Sequence, residues 1–260
     1  MDLNLKGKSA LITGGSKGIG RAVADVLAAE GCDLHLAARD GVALEAAAAE
    51  LAEKFGVTVE AHAADLSQRA AVEDLAAKCV GVDILVNNAG AIPGGTIEAI
   101  DDDRWREAWD LKVFGYITMT RALYRAMCER GDGVIVNIVG TAGEVSDASY
   151  ICGCVGNAAL IMLTQSLGAV GIDHGVRVLG VNPGPITTDR IRTMMTTKAE
   201  AEFGDGARWQ EFLGHLPHGR AGTPREVADV VAFLASDRAS YVNATLVPID
   251  GGFRARRKVF

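Results

Sequence analysis

The sequence predicts an α/β fold, a doubly wound parallel sheet of about seven strands with helices on both faces. Three observations carry that expectation. Short apolar runs alternate with longer helical stretches along the whole chain, the pattern of right-handed strand–helix–strand units. A glycine-rich turn joins the first apolar run to the first helical stretch. The 260 residues, 49% hydrophobic and 23% charged, are enough to bury a large core, and no Pro-, Gly- or Ser-rich linker divides them, so one domain over residues 1–260 is expected.

The first strand is SALIT, followed by the helical GRAVADVLAAEG. CDLHLAA precedes VALEAAAAELAEKFG, whose Ala, Leu and Glu are strong helix formers. VTVEAHA leads into RAAVEDLAAKC, and VDILVNNAG is the fourth strand. One long helix is expected across DDRWREAWDLKVFGYITMTRALYRAM, before the strand GVIVNIV. The helix around NAALIMLTQSLGAVGIDHG, the strand VRVLGVNPG, the helix PREVADVVAFLAS and the strand TLVPID complete the order. In such a sheet the ligand site lies at the carboxyl ends of the strands.

A formal charge of −7 argues against general affinity for nucleic acid, whose backbone needs clustered Lys and Arg. The one basic run, Arg254, Arg256, Arg257 and Lys258, reads as a solvated terminus and receives no function. Five cysteines at irregular positions, behind a start (MDLNLKGKSA) that lacks an export signal, suggest a cytoplasmic chain without a disulfide framework. No apolar run approaches the roughly 18 to 20 residues of a membrane span, so insertion is not expected.

TGGSKGIG, Thr13 to Gly20, lies between the first strand and the first helix. Gly14, Gly18 and Gly20 let the backbone turn tightly and approach a pyrophosphate. Ser16, Lys17 and Ile19 fill the turn, and the amides and dipole of the helix start stabilise the anion. A tight turn with no ligand is the plainer reading of this stretch by itself.

Further stretches extend the pattern. AADLS holds Asp65 and Leu66, NNAG holds Asn88, Ala89 and Gly90, and NPGPITT holds Pro183, Gly184, Ile186 and Thr188. With TGGSKGIG, GTPREVADVVAFLASDRASYV and VPIDGG in this fixed order, the chain resembles a short-chain dehydrogenase/reductase over nearly its whole length. The resemblance implies a Rossmann-like dinucleotide-binding fold. It places Asp65 and Leu66 at the adenine, Asn88, Ala89 and Gly90 near the adenosine, and Ile186 and Thr188 at the nicotinamide carboxamide. At the end of the second strand, HLAARD puts Ala38 and then Arg39 where an acid would bind a ribose hydroxyl. Arg39 and Lys17 favour NADP, with NAD kept open by Asp40.

The family's Ser, Tyr-x-x-x-Lys and Asn do not stand at their usual places. NAAL resembles the family's KAAL and NIVG its NISS. This alignment puts Gly140 at the Ser position, Gly153 at the Tyr, Asn157 at the Lys and Lys112 at the Asn. Glycine has no proton to transfer, so the standard mechanism does not carry over. Asn157 keeps the ability to hydrogen-bond the nicotinamide ribose.

Two residues are candidate replacements. Tyr150, three before Gly153, either reaches back into the vacated space or packs the helix start as core. Lys112 either restores a cation from the opposite wall or reaches solvent or a subunit contact. Thr141, Glu144 and Asp147 read as solvated loop residues, and Cys152 and Cys154 as small thiols turned from the Gly153 face. His174, His215 and His218 show no ligand spacing with the cysteines, so no metal is expected.

Three functions follow: an NAD(P)-dependent oxidoreductase of carbonyl or alcohol substrates with a non-standard proton relay, a catalytically inactive dinucleotide-binding protein (sensor or partner subunit), or lyase or isomerase chemistry on the same scaffold. The segment Asp189 to Pro217, with Phe203, Trp209 and Phe212, resembles a mobile lid over an apolar pocket for a small-molecule substrate. The helices around residues 104–128 and 150–173 occupy the family's subunit contacts, which implies a homodimer or homotetramer.

Overall fold

The computed structural model describes residues 1–256, apart from the side chains of Arg190, Met194 and Lys198. Arg257 and Lys258 of the basic run lie outside the described residues.

Seven strands form one parallel sheet in the order β3-β2-β1-β4-β5-β6-β7. They are β1 (Ser9–Thr13), β2 (Asp33–Ala38), β3 (Val59–Ala63), β4 (Ile84–Asn87), β5 (Gly133–Ile138), β6 (Val176–Pro183) and β7 (Leu246–Ile249), each inside the run that predicts it. The eight helices of this chain's described part are α1 (Gly18–Ala29), α2 (Gly41–Phe55), α3 (Arg69–Lys78), α4 (Asp102–Trp109), α5 (Gly115–Arg130), α6 (Ile151–Gly171), α7 (Asp189–Phe203) and α8 (Pro224–Ala235). Strand order reverses between β1 and β4, which opens a crevice at their carboxyl ends.

Alternating strand residues bury two faces. On one, Ile12, Leu34, Val86 and Leu179 meet Val23 and Leu27 of α1 and Val227 and Val231 of α8. On the other, Leu11, Leu85, Ile135 and Val178 meet Leu75 of α3 and Met119 and Leu123 of α5. A polar ladder crosses the middle: Asn87 Nδ2 donates to Asn137 Oδ1 (2.9 Å) and Thr120 Oγ1 (3.0 Å), and Asn137 Nδ2 to Thr164 Oγ1 (2.9 Å). Buried amides donating this way tie β4 and β5 to α5 and α6, although Asn87 Oδ1 has no hydrogen-bond partner among the described residues.

Two expectations change. The single long helix is interrupted by a π turn, Asp110–Phe114, between α4 and α5. One extra residue per turn there re-aims Lys112, which a uniform 3.6-residue period does not foresee. Nor is the chain free of a stretch long and apolar enough for a membrane. Ile151–His174 meets both criteria by length and composition, with mean hydropathy 1.5 over 18 residues. Gly, Ala and Cys between polar residues hide it from a search for an unbroken run. Its inner face carries Asn157, Leu160 and Thr164, buried against the sheet side.

Candidate active site

The nucleotide end is built from β1, β4 and the start of α1. Gly14 has φ 70°, and a Cβ there would stand 2.7 Å from Asn88 Nδ2 and 3.2 Å from Ala89 Cα. A Cβ on Gly20 would stand 2.2 Å from the Gly14 carbonyl oxygen, so backbone itself forbids a side chain. Asn88 Nδ2 donates to the carbonyls of Thr13 (2.9 Å) and Gly14 (3.2 Å), while Thr13 Oγ1 accepts from the amides of Asn88 and Ala89. The side chain of Asn88 thus pins the turn. Helix α1 starts at Gly18 after an extended Lys17, with no side-chain cap and no acid in its first turn. Its first amides are left to face the crevice, the arrangement an anion needs. Ser16 and Ile19 are half-buried and Lys17 is exposed. Thr188 lies 3.5 Å from the Cβ position of Gly18, bringing the turn after β6 to the glycine turn.

At the outer end, Arg39 is exposed, and Asp40 is occupied: its carboxylate accepts from Ala43 N and caps α2. Asp65 is held below the usual carboxylate range, chiefly by the amide and hydroxyl of Ser67, with Arg39 a smaller contributor. Leu66 is buried among Val72, Leu75 and Met119. Beyond β6, Pro183 and Ile186 are buried, Gly184 N donates to Ile249 O, and Thr188 caps α7 through Ile191 N.

The opposite wall holds Gly140, Gly153, Asn157 and Lys112. Gly140 has φ 135°, a conformation only glycine holds without strain, and Asn157 Nδ2 lies 3.0 Å from its Cβ position. Asn157 is buried, and its Oδ1 has no hydrogen-bond partner among the described residues. At Gly153 the ring of Tyr150 occupies the place of a side chain: Cε1 and Cζ lie 2.0 and 2.2 Å from where a Cβ would stand. Tyr150 itself is not helical. It is the cap residue of α6 (φ −138°, ψ 33°), and its ring folds back over the first turn, packed with Ile92, Ile100, Trp105 and Trp109. Tyr150 thus packs the entry to α6 with its ring over Gly153, and Gly140 is met by Asn157 and Pro183 instead.

Lys112, on the π turn, runs along Gly90 and donates from Nζ to Val139 O at 2.7 Å. The cation thus stands one residue from Gly140. Glu144, exposed on the loop after β5 as expected, is also engaged: one carboxylate oxygen accepts from Asn182 Nδ2 (2.5 Å) and the other pairs with Arg254. Asn182 Oδ1 in turn accepts from Gly140 N (3.3 Å), and Thr141 Oγ1 donates to Pro183 O. Sequence reasoning missed Arg254 and Asn182 here, because the closeness of the tail to the loop after β5 has no local signature. Asp147 accepts from Ser149 N and Oγ and shapes the loop. Cys152 is buried as expected, whereas Cys154 is only half-buried, its thiol within hydrogen-bond reach of the Val145 and Asp147 carbonyls. The lid segment forms α7 and a 3-10 stretch, with Phe203 stacked on Phe212 at 5.1 Å.

An uncapped helix start behind a glycine turn, at the switch point of a parallel sheet, defines a dinucleotide-binding α/β protein. Residues 14–254 match the family model described as enoyl-(acyl carrier protein) reductase. The chain is 31% identical over 253 residues to the 3-oxoacyl-[acyl-carrier-protein] reductase FabG of Vibrio cholerae, covering 96% of this chain and 98% of that protein. It superposes on L-sorbose reductase of Gluconobacter frateurii, solved with NADPH and L-sorbose, with a TM-score of 0.94 and 33% identity over 99% of this chain and all of that one. A solved short-chain dehydrogenase/reductase family protein gives 0.84 and 36%, over 98% and 100%. The chain belongs to the short-chain dehydrogenase/reductase family.

Proposed function

We propose that the protein is an NADP-dependent oxidoreductase, with NAD as the lesser cofactor, that interconverts a carbonyl and an alcohol through a relay of Tyr150 and Lys112. The observation that carries this reading is the phenol ring lying where the side chain of residue 153 would begin. The family's Ser, Tyr, Lys and Asn positions correspond to Gly140, Gly153, Asn157 and Lys112. A phenol folded back from position 150 supplies the acid that glycine lacks.

The crevice fits the cofactor on two observations: the open amides of α1, and the unpartnered Oδ1 of Asn157, an acceptor for a ribose hydroxyl. The first turn of α1 binds the pyrophosphate, with Gly14, Ser16, Gly18, Ile19 and Gly20 shaping the cradle, and Lys17 joins Arg39 in favouring the 2′-phosphate. Asp65, Leu66, Asn88, Ala89 and Gly90 line the adenosine side, and Pro183, Gly184, Ile186 and Thr188 the nicotinamide side. Arg39 favours NADP because Asp40, next to it in the chain, is engaged in capping α2, and Asp65 is held chiefly by Ser67. Nicotinamide, when bound, supplies hydride transfer. In the reductive direction the Tyr150 hydroxyl gives its proton to the substrate oxygen, and in oxidation it takes one. The Lys112 ammonium, anchored on Val139 O, favours the phenolate electrostatically. L-sorbose reductase and FabG, which are similar to this chain, act on carbonyl groups, in keeping with such a substrate. The exposed Phe114, Val155, Met162 and Val170 support association as a homodimer or homotetramer through α5 and α6.

Stopped-flow absorbance with NADPH and a panel of carbonyl compounds tests the reading. NADPH oxidation that falls about 100-fold in Lys112→Met is the expected result. Binding without oxidation across the panel favours an inactive dinucleotide-binding protein. Substrate loss without net redox change favours lyase or isomerase chemistry.

A further inference from the structure

We propose that His35, Glu60, His62 and Cys79 form a binding site for one divalent transition-metal ion, with zinc the best match. The site lies at the β2–β3 edge of the sheet, apart from Tyr150 at the start of α6 and Lys112 on the π turn. It revises the expectation of no metal.

Parallel pairing sets His35 opposite Glu60 and Ala37 opposite His62. Partners in register share a face, and residues two apart on a strand do too, so His35, Glu60 and His62 project to the same side. Cys79 ends α3, which covers that side, and its buried thiol meets the two rings from above. His35 Nδ1 and His62 Nε2 are 3.0 Å apart, and Cys79 Sγ is 4.0 Å from His62 Nε2. These three donor atoms all lie within 4.8 Å of one another. Glu60 Oε2 completes the group at 3.6 Å from His35 Nδ1 and 3.8 Å from His62 Nε2.

Zinc bonds of about 2.0–2.1 Å to nitrogen and 2.3 Å to sulfur imply nitrogen pairs about 3.3 Å apart and nitrogen–sulfur pairs about 3.6 Å apart in a tetrahedron. The His35–His62 and His62–Cys79 spacings are within a few tenths of an ångström of those, and the third pair, within 4.8 Å, closes by rotation about the side-chain bonds. Two imidazoles, a thiolate and a carboxylate suit zinc and its borderline-soft neighbours, whereas magnesium and calcium require oxygen donors. Charge also balances. The ion contributes +2, the carboxylate −1 and the thiolate −1, the thiol proton leaving to solvent as the metal–sulfur bond forms. A neutral centre suits a half-buried place. Both rings coordinate through the nitrogens that face each other, with the remaining ring nitrogens protonated.

Four protein ligands leave no open position, so the ion is structural. It clips the edge strand β3 to β2 and to the end of α3, directly before the turn that carries Asp65. The ligands lie 27 and 17 residues apart along the chain, so strand pairing assembles them and no spacing motif announces them.

Titration of the untagged, chelator-treated chain with cobalt(II) tests the site. One equivalent is expected to produce a thiolate-to-cobalt band in the near ultraviolet and the intense visible bands of tetrahedral cobalt, both abolished by zinc. His62→Ala and Cys79→Ala, each verified as folded by circular dichroism, are expected to lose the bands, and Cys128→Ser to keep them. No thiolate band at one equivalent in the unaltered chain overturns the proposal, as does a band that persists in both folded variants.

Discussion

Two ends of one crevice use glycine for opposite reasons. At the nucleotide end, a side chain on Gly20 would collide with the Gly14 carbonyl, and one on Gly14, at φ 70°, would collide with the Asn88 side chain and press on the Ala89 backbone. At the catalytic end, side chains on Gly140 and Gly153 would meet other side chains, Asn157 and the Tyr150 ring. Backbone cannot move aside, so the first pair defines a turn. A neighbouring side chain can, so Gly153 marks a place where the Tyr150 ring fills the space a side chain would take, while Gly140 is held to glycine by its φ of 135°.

The largest effect expected from this contrast falls on the catalytic end alone. Tyr150→Phe is expected to lower the rate of NADPH oxidation about 10²- to 10⁴-fold, the range for loss of a positioned acid, with cofactor affinity unchanged. Turnover and calorimetric Kd measured on the same preparation check it. The converse change is Gly20→Ala. Overpacking of about 1–3 kcal/mol would appear as a roughly 5- to 150-fold rise in the Kd for either dinucleotide. A Kd within twofold of the unaltered chain would remove the backbone argument. A smaller effect separates the cofactors. Arg39→Ala should weaken NADPH about tenfold and leave NADH alone, because an exposed guanidinium gives one charge-assisted contact. Equal loss for both would place Arg39 elsewhere.

The sheet was legible because alternation of apolar runs and helical stretches depends on local burial, and each of the seven strands falls within a run such as SALIT or GVIVNIV. The glycine turn was legible too, since its residues are contiguous. Lys112 and Tyr150 could be singled out by position, but their geometry could not. A π turn aims Lys112 at Val139, and a non-helical φ at Tyr150 lets its ring fold over Gly153. Both are backbone irregularities without a sequence period. Glu144 and Arg254 were less legible still, as their pairing joins the loop after β5 to a tail more than a hundred residues away. Long-range contacts of that kind follow from the packed fold, not from any window of sequence.

The central claim is that the Tyr150 ring acts from the space above Gly153, and Gly153→Ala tests it most directly. The added methyl would meet the far end of one side chain, and Ala favours a helix over Gly by about 0.8–1.0 kcal/mol, so the fold and cofactor binding should survive. Single-turnover NADPH oxidation by this variant, with Kd and melting temperature measured alongside, is expected to slow about 100-fold as the phenol is displaced. Full single-turnover rate with the methyl in place would contradict the account.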